Sequence, residues 1–554
     1  MQSSAFPIPE PTPEFLRLES SIRALSTAIH EIQGQCEFRP PDADEACPDD
    51  SAVVFSQLAT LLTTGSPVGR QRVVVTGGSS HRGFFVNAAE TVVGDDQAIF
   101  AEPAAVQLKI VTPTQKTLKQ LADDKRPLSH ITLTEHAGDV LQALRLVNQD
   151  IYAPEREQRR TLECFIARRC HSEINRRVQS AVGLLNPPLH DVLGTWELHS
   201  SDRIREEWLV IPYPLILLES LSIPHRPTSR CPARSEFLFN RHTFGLWKRL
   251  FVSLLKVVFT TVTGFNPGQT ESAADVVLAL HFLRLFLSFG PARQILEMPS
   301  LGPVLWANLL PQNQLEYDDR QENSPIQIIL RAWTAVVAYD AAISFLTFQQ
   351  GTVSSILRCS LPTVHIINVP ARTTTARSMD SIPGIMRSKV IPALNLSRHY
   401  AGVVEALISQ HLSITEFPGE VHSEATMMGI AYAFSHGKYA KDDFAPEKST
   451  LGAFHDAFEG HSNTIGNTEE RSCQICYWLS EELLLSNGYF TLHAKHAKTV
   501  PWSPPRFGIP LLVLRNLELE LVELLVDSTY RWLEQRTRWP REFQKLPKLI
   551  QPII

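Results

Sequence analysis

Two short stretches of this chain hold residue types that work together chemically: Val421-His422-Ser423-Glu424 and, further along, Cys473-Gln474-Ile475-Cys476. An imidazole and two thiolates form a common donor set for zinc, and three protein ligands leave a fourth position open to water. Zinc brings the pKa of such a water towards neutrality, which makes hydroxide available as a nucleophile. A carboxylate that binds no metal must then carry protons between that water and the leaving group. The pattern reads His422, Cys473 and Cys476 as zinc ligands and Glu424 as the proton carrier. A purely structural zinc site would need a fourth ligand, for which His436, His455 and His461 are the nearby candidates, and it would have no use for Glu424.

Helices must position these groups. The apolar run Ala425, Met427, Met428, Ile430, Ala431, Ala433 predicts a helix over 424–434, with His422 and Glu424 at its start. A helix beginning near Cys473 puts both cysteines on one face, and Tyr477 to Leu485 has the apolar stripe to continue it. A second His-Ser-Glu, His171-Ser172-Glu173, serves as a control: it sits inside a helical run and no C-x-x-C follows it before Cys473.

The whole chain is ordinary in composition. Its 554 residues are 44% hydrophobic and 20% charged, enough for roughly three or four domains with sizeable cores. A net charge of -6 and a pI near 6.4 argue against an overall polyanion-binding surface. The eight cysteines are too sparse for a disulfide scaffold and suit a reducing compartment. The first residues lack the basic start and apolar core of a signal peptide. The longest greasy segment, 250–265, is short and interrupted by Lys256, below a membrane span. The expectation is an intracellular protein, cytoplasmic or nuclear, with no membrane partner.

In order, the chain reads as follows. Residues 1–50 are a Pro-rich disordered stretch, a helix over 15–32 and an acidic linker. Residues 51–200 are a mixed, mainly helical domain with a hairpin. There, Val73-Val74-Val75-Thr76-Gly77-Gly78 lacks a full phosphate-loop pattern and is followed by a second short strand, so it is read as structural. Arg159, Arg160, Arg168, Arg169, Arg176 and Arg177 make one helix basic, which reads as a solvated face ahead of a nucleic-acid stripe.

Residues 201–355 are a helical domain, with helices over 237–265, 272–289 and 326–349, suited to supporting the site or binding a protein partner. Residues 356–526 hold the metal motifs within helix, strand, helix, strand, helix, strand, helix, the order of an α/β sandwich, with a polar insertion at 435–463. Residues 527–554 are a basic and aromatic tail, through Arg531, Trp532, Arg536, Arg538, Trp539, Arg541, Lys545 and Lys548. Single-strand binders have such a mixture, and so does a helix end packed on a core.

Taken together, Val421-His422-Ser423-Glu424-Ala425, Ile465-Gly466-Asn467-Thr468 ahead of Cys473 and Cys476, and His496-Ala497-Lys498 ahead of Pro501-Trp502 resemble the fungal branch of the nucleic acid/nucleotide deaminases, in the cytidine-deaminase-like superfamily. Residues 55–78 also resemble the N-terminal region of such proteins, and the main resemblance covers 420–525.

The resemblance implies a three-layer α/β/α sandwich preceded by a largely helical N-terminal region. It implies zinc on His422, Cys473 and Cys476, Glu424 as proton shuttle, and His496 and Trp502 lining the pocket. The reaction would be hydrolytic deamination of a cytosine- or adenine-type base, in a nucleotide or single-stranded nucleic acid. The chain departs from the pattern in three places: Ser423 between His and Glu, Ser472 where proline precedes the first cysteine, and a longer gap between the motifs. None removes a ligand or the glutamate. The alternative is a catalytically silent deaminase-fold scaffold.

Overall fold

The computed structural model describes residues 3–7, 10–35, 50–65, 69–80, 83–94, 105–111, 113–124, 126, 131–148, 156–200, 202–211, 223–227, 235–266, 269–310, 325–348, 363–368, 376–377, 382–412, 416–417, 419–435, 448–458, 463–467, 472–485, 490–492 and 499–537. Its strands are β1 (Ser3–Pro7), β2 (Gly69–Ser80), β3 (Gly83–Gly94), β4 (Ala105–Val111), β5 (Glu207–Ile211), β6 (His225–Pro227), β7 (Ser235–Phe239), β8 (Thr363–Asn368), β9 (Ala376–Arg377), β10 (Glu416–Phe417), β11 (Thr464–Asn467) and β12 (Thr491–Leu492). The architecture is mixed α/β.

A seven-stranded sheet in the order β1-β4-β8-β3-β2-β11-β12 organises the chain. Its centre is the β2–β3 hairpin, closed at Ser80↔Gly83. The unbroken run Val73-Val74-Val75 marks a strand buried on both sides, since alternate side chains leave on opposite faces. Val73, Val75, Val86, Ala88, Val364 and Ile366 enter one core, with the helices Asp50–Leu62 and Leu133–Asn148 and the helices between Arg156 and Phe348. Val74, Ala89, Leu108, Ile367 and Ile465 enter the other, with the helices Pro13–Gln35, Ser423–Ser435, Gln474–Leu485 and Leu511–Thr537.

The sheet draws strands from both sides of residue 356. β8 lies parallel to β3, and β11 pairs antiparallel with β2 through Gly466↔Val75 and Asn467↔Val74. Gly466 permits this join. A Cβ there would strike the backbone of Phe55 and Ser56 in the Asp50–Leu62 helix, which crosses directly over it. β12 then extends the sheet parallel to β11.

Several expectations are corrected. Ser3–Pro7, inside the stretch read as disordered, pairs with β4 as the edge strand. The helix expected over 237–265 starts at Phe244, because 235–239 form β7 between β5 and β6. The polar insertion contains a helix, Lys448–Phe458, whose buried Phe454 and Phe458 stack on Phe434. The basic helices are a solvated face only in part: Arg160 and Arg176 are exposed, and the rest are drawn inward. Arg169 is buried between Asp124 and Asp139 (2.8 and 2.9 Å), Arg177 is buried on Glu173 (2.8 Å), and Arg159 pairs with Glu163 (2.6 Å).

Among the described residues no single helix is long and apolar enough to cross a membrane. One pair bent by 60°, Pro325–Val336 with Ala338–Thr347, reaches that length together, and it packs Trp333, Val336, Ile343 and Leu346 into the first core.

Candidate metal centre

The site forms where two helices begin. His422 precedes the Ser423–Ser435 helix and its carbonyl accepts the Thr426 N–H (3.0 Å), the first bond of the helical ladder. That helix is buried nearly all round, through Ala425, Met427, Met428, Ile430 and Ala431. A helix this apolar must sit inside the protein, and it fixes where its first turn points. Gly429 lets the 507–508 loop close onto it: a Cβ there would stand 2.6 Å from the Phe507 carbonyl oxygen.

Cys473 stands in the capping position of the Gln474–Leu485 helix. Its carbonyl accepts the Tyr477 N–H (3.0 Å), and its sulfur accepts the Cys476 N–H (3.3 Å). A thiolate here does what a serine or aspartate does at other helix starts, so the proline absent at Ser472 is not needed to begin the helix. Both helix N-termini therefore converge on the site, and their partial positive charge favours anions there.

The ligand atoms of His422, Cys473 and Cys476 all lie within 4.8 Å of one another, with His422 Nδ1 3.5 Å from Cys476 Sγ. A tetrahedral metal bonded at about 2.0 Å to nitrogen and 2.3 Å to sulfur would give an N–S edge of about 3.5 Å. The donors fit such an ion without rearrangement of that edge. His422 and Cys476 are buried and Cys473 is half-buried. Glu424, buried on the same first turn as His422, is close enough to Cys476 for its charge to act on that thiol.

The two thiols are driven apart. Burial pushes Cys473 up, but the Cys476 hydrogen bond and the His422 ring outweigh it and hold Cys473 well below the ordinary thiol range. Burial pushes Cys476 well above that range; Cys473 and Glu424 add to the rise, and the Trp502 indole opposes it. The site thus favours negative sulfur at Cys473, while Cys476 keeps its proton until a cation takes its place.

Trp502 is fully buried and touches Cys476; its indole N–H makes no bond of full hydrogen-bond geometry. His496 lies outside the described residues, as do His436, His461 and the tail from 538. His455 is exposed and outside the cluster. Of the tail, Trp532 is buried in the second core and Arg531 pairs with Asp527 (3.0 Å), so this part is a packed helix end.

The second His-Ser-Glu is structural. His171 bonds the Val262 carbonyl (2.8 Å) and stacks on Phe265, while Glu173 is held by Arg176 and Arg177. The sequence reading missed the contribution of the Pro13–Gln35 helix, whose Ser26 accepts the Trp502 backbone N–H (3.0 Å). The available signal was a run of polar side chains (Glu19, Ser20, Ser21, Arg23, Ser26, Thr27) too dense for a simple packing helix.

Fold and site together define a mixed α/β protein with a His/Cys/Cys cluster able to coordinate a metal ion. No family model matches the chain, and neither does any curated protein or solved structure.

Proposed function

We propose that the protein is a zinc-dependent hydrolytic deaminase acting on a cytosine- or adenine-type base, built on an α/β/α sandwich of the kind found in the nucleic acid/nucleotide deaminases. The observation that carries this is the convergence of three ligand atoms at the starts of two helices, with a buried carboxylate on the same turn as the histidine. A structural zinc site has no use for that carboxylate, whereas hydrolysis at a C–N bond requires one. The layering supports the reading: both faces of the sheet are covered by helices, and both metal-bearing helices lie on one of them.

His422, Cys473 and Cys476 would hold the zinc. When bound, zinc supplies the Lewis acidity that makes water a nucleophile near neutral pH. Glu424 would take one proton from the attacking water and give it to the ring nitrogen. It would then take the second proton from the hydroxyl added to the ring carbon and give it to the amino group, so that the carbonyl forms as the C–N bond breaks and ammonia leaves. The two helix N-termini favour the negative charge of the thiolates and of the attacking oxygen. The helix that Glu424 begins is buried, as Ala425 and Met428 show, and a buried setting strengthens these electrostatic effects.

Glu424→Gln tests the reading, with cytidine, adenosine and single-stranded nucleic acid as substrates. Metal content should stay at the wild-type level while turnover falls by about a hundredfold or more. Equal turnover in the two proteins would contradict the proposal.

A further inference from the structure

We infer that the N-terminal helix Pro13–Gln35 positions the metal centre, with Arg23 and Ser26 as the residues that set its ligand loop. The inference rests on the metal reading of the His422 cluster and extends it to residues roughly 400 positions upstream in a chain whose loops close at modest entropic cost.

Two backbone segments flank the cluster, and they are laced to each other. The Glu420 N–H donates to the Pro501 carbonyl (3.3 Å) and the Ser503 N–H to the Glu420 carbonyl (2.9 Å). This short parallel bridge joins the residue two before His422 to Trp502, which touches Cys476. Whatever holds the bridge therefore holds a ligand on each side.

The Pro13–Gln35 helix holds it. Ser26 Oγ accepts the Trp502 backbone N–H (3.0 Å) and itself donates to the Arg23 carbonyl (3.1 Å). Arg23 is almost fully buried; its Nε donates to Ser503 Oγ (2.9 Å) and its Nη2 to Glu19 (2.6 Å). Its side-chain carbons lie against Gly419, where a Cβ would come within 2.9 Å of Arg23 Cγ. Further along, His30 Nδ1 meets the Thr499 carbonyl (3.0 Å) and Gln33 accepts the Thr499 N–H (3.1 Å).

A helix that merely covered the core would be better served by apolar residues here. Burying an arginine–glutamate pair gains little stability over well-packed hydrophobic side chains, so its use points to fixing a geometry. The same helix has ordinary docking contacts elsewhere, such as the Arg17–Glu518 pair (3.2 Å), and these do not reach the bridge. That contrast separates positioning from docking.

The test uses the full chain loaded with cobalt(II), whose absorption bands report the geometry of a thiolate-bearing site, and a chelator to time metal release. Ser26→Ala and Arg23→Gln should fold with wild-type circular dichroism. Both should shift the cobalt bands and release metal about tenfold faster or more, the usual cost of losing a partner behind a metal ligand. Arg17→Ala should leave both readouts at wild-type values. Unshifted bands and unchanged release in folded Ser26→Ala would overturn the inference, as would equal changes in Arg17→Ala. Ser26→Ala removes a single hydroxyl and decides the matter if Arg23→Gln fails to fold. A wild-type chain that takes up no cobalt would overturn the metal reading and the inference with it; uptake with unaltered variants would overturn the inference alone.

Discussion

His422 and His171 begin the same tripeptide, and only their surroundings separate them. His422 sits at a helix start with two cysteine sulfurs beside it, while His171 is occupied by the Val262 carbonyl and the Phe265 ring. Glu173 is likewise committed to Arg176 and Arg177. Glu173→Gln should therefore leave metal content and turnover unchanged. It should lower stability by about 3 kcal/mol, because Arg177 is left buried without its counter-charge; chemical denaturation measures this. A loss of metal in Glu173→Gln would show that the second tripeptide had been misassigned. The ligands themselves were legible because H-x-E and C-x-x-C are local patterns, set by helix geometry over one turn. The buried Arg169 was not, since its partners Asp124 and Asp139 lie 45 and 30 residues away in sequence.

At the scale of elements, the close approaches are made by glycines. Gly466 lies under the Asp50–Leu62 helix, and Gly429 lies under the Phe507 carbonyl. Gly429→Ala forces its new methyl to 2.6 Å from that oxygen, inside van der Waals contact, and both groups belong to packed backbone. Overpacking of this kind costs about 1–3 kcal/mol. The variant should unfold at lower denaturant and, because Gly429 lies on the helix that His422 begins, should hold metal less tightly; unchanged stability would mean that the 507–508 loop yields freely.

The hairpin was readable from an unbroken apolar run followed by a second short strand, and the apolar helices from periodicity, although the turn falls at Ser80↔Gly83, beyond the Gly77-Gly78 pair. The pairing of β2 with β11 was not, because register between strands so distant in sequence is decided by which faces must be buried together. Its one trace in the sequence is a glycine, and a lone glycine in a strand has many explanations.

For the whole molecule, the N- and C-terminal parts share one sheet and two cores, so stability and site are coupled. Two buried histidines give this coupling a pH dependence. Burial lowers His136 to about 4, and its Nε2 is bonded to the Leu61 carbonyl; burial likewise lowers His365 to about 4, beside Asn87. In the unfolded chain each titrates near 6.5, so between pH 6.5 and 4 the unfolded state binds protons that the folded state refuses. The stability from these groups is fully present above about pH 6.5 and lost as pH falls towards 4, by about 3 kcal/mol for His136. His136→Gln can still donate to Leu61 and does not titrate, so its stability should fall less steeply over that window. Parallel curves for variant and wild type would exclude His136 as a source. Neither histidine was identifiable beforehand, because burial of a single imidazole leaves no mark on the local pattern.

The central claim is that His422, Cys473 and Cys476 hold one metal ion, and elemental analysis of the full chain tests it most directly. The wild type should carry about one zinc per chain, the single ion that three such ligands and an open position accommodate. Cys473→Ser/Cys476→Ser, checked for folding by circular dichroism, should carry none. A folded wild-type chain without zinc, even after purification with added metal, would contradict the claim and remove the basis for the deaminase reading.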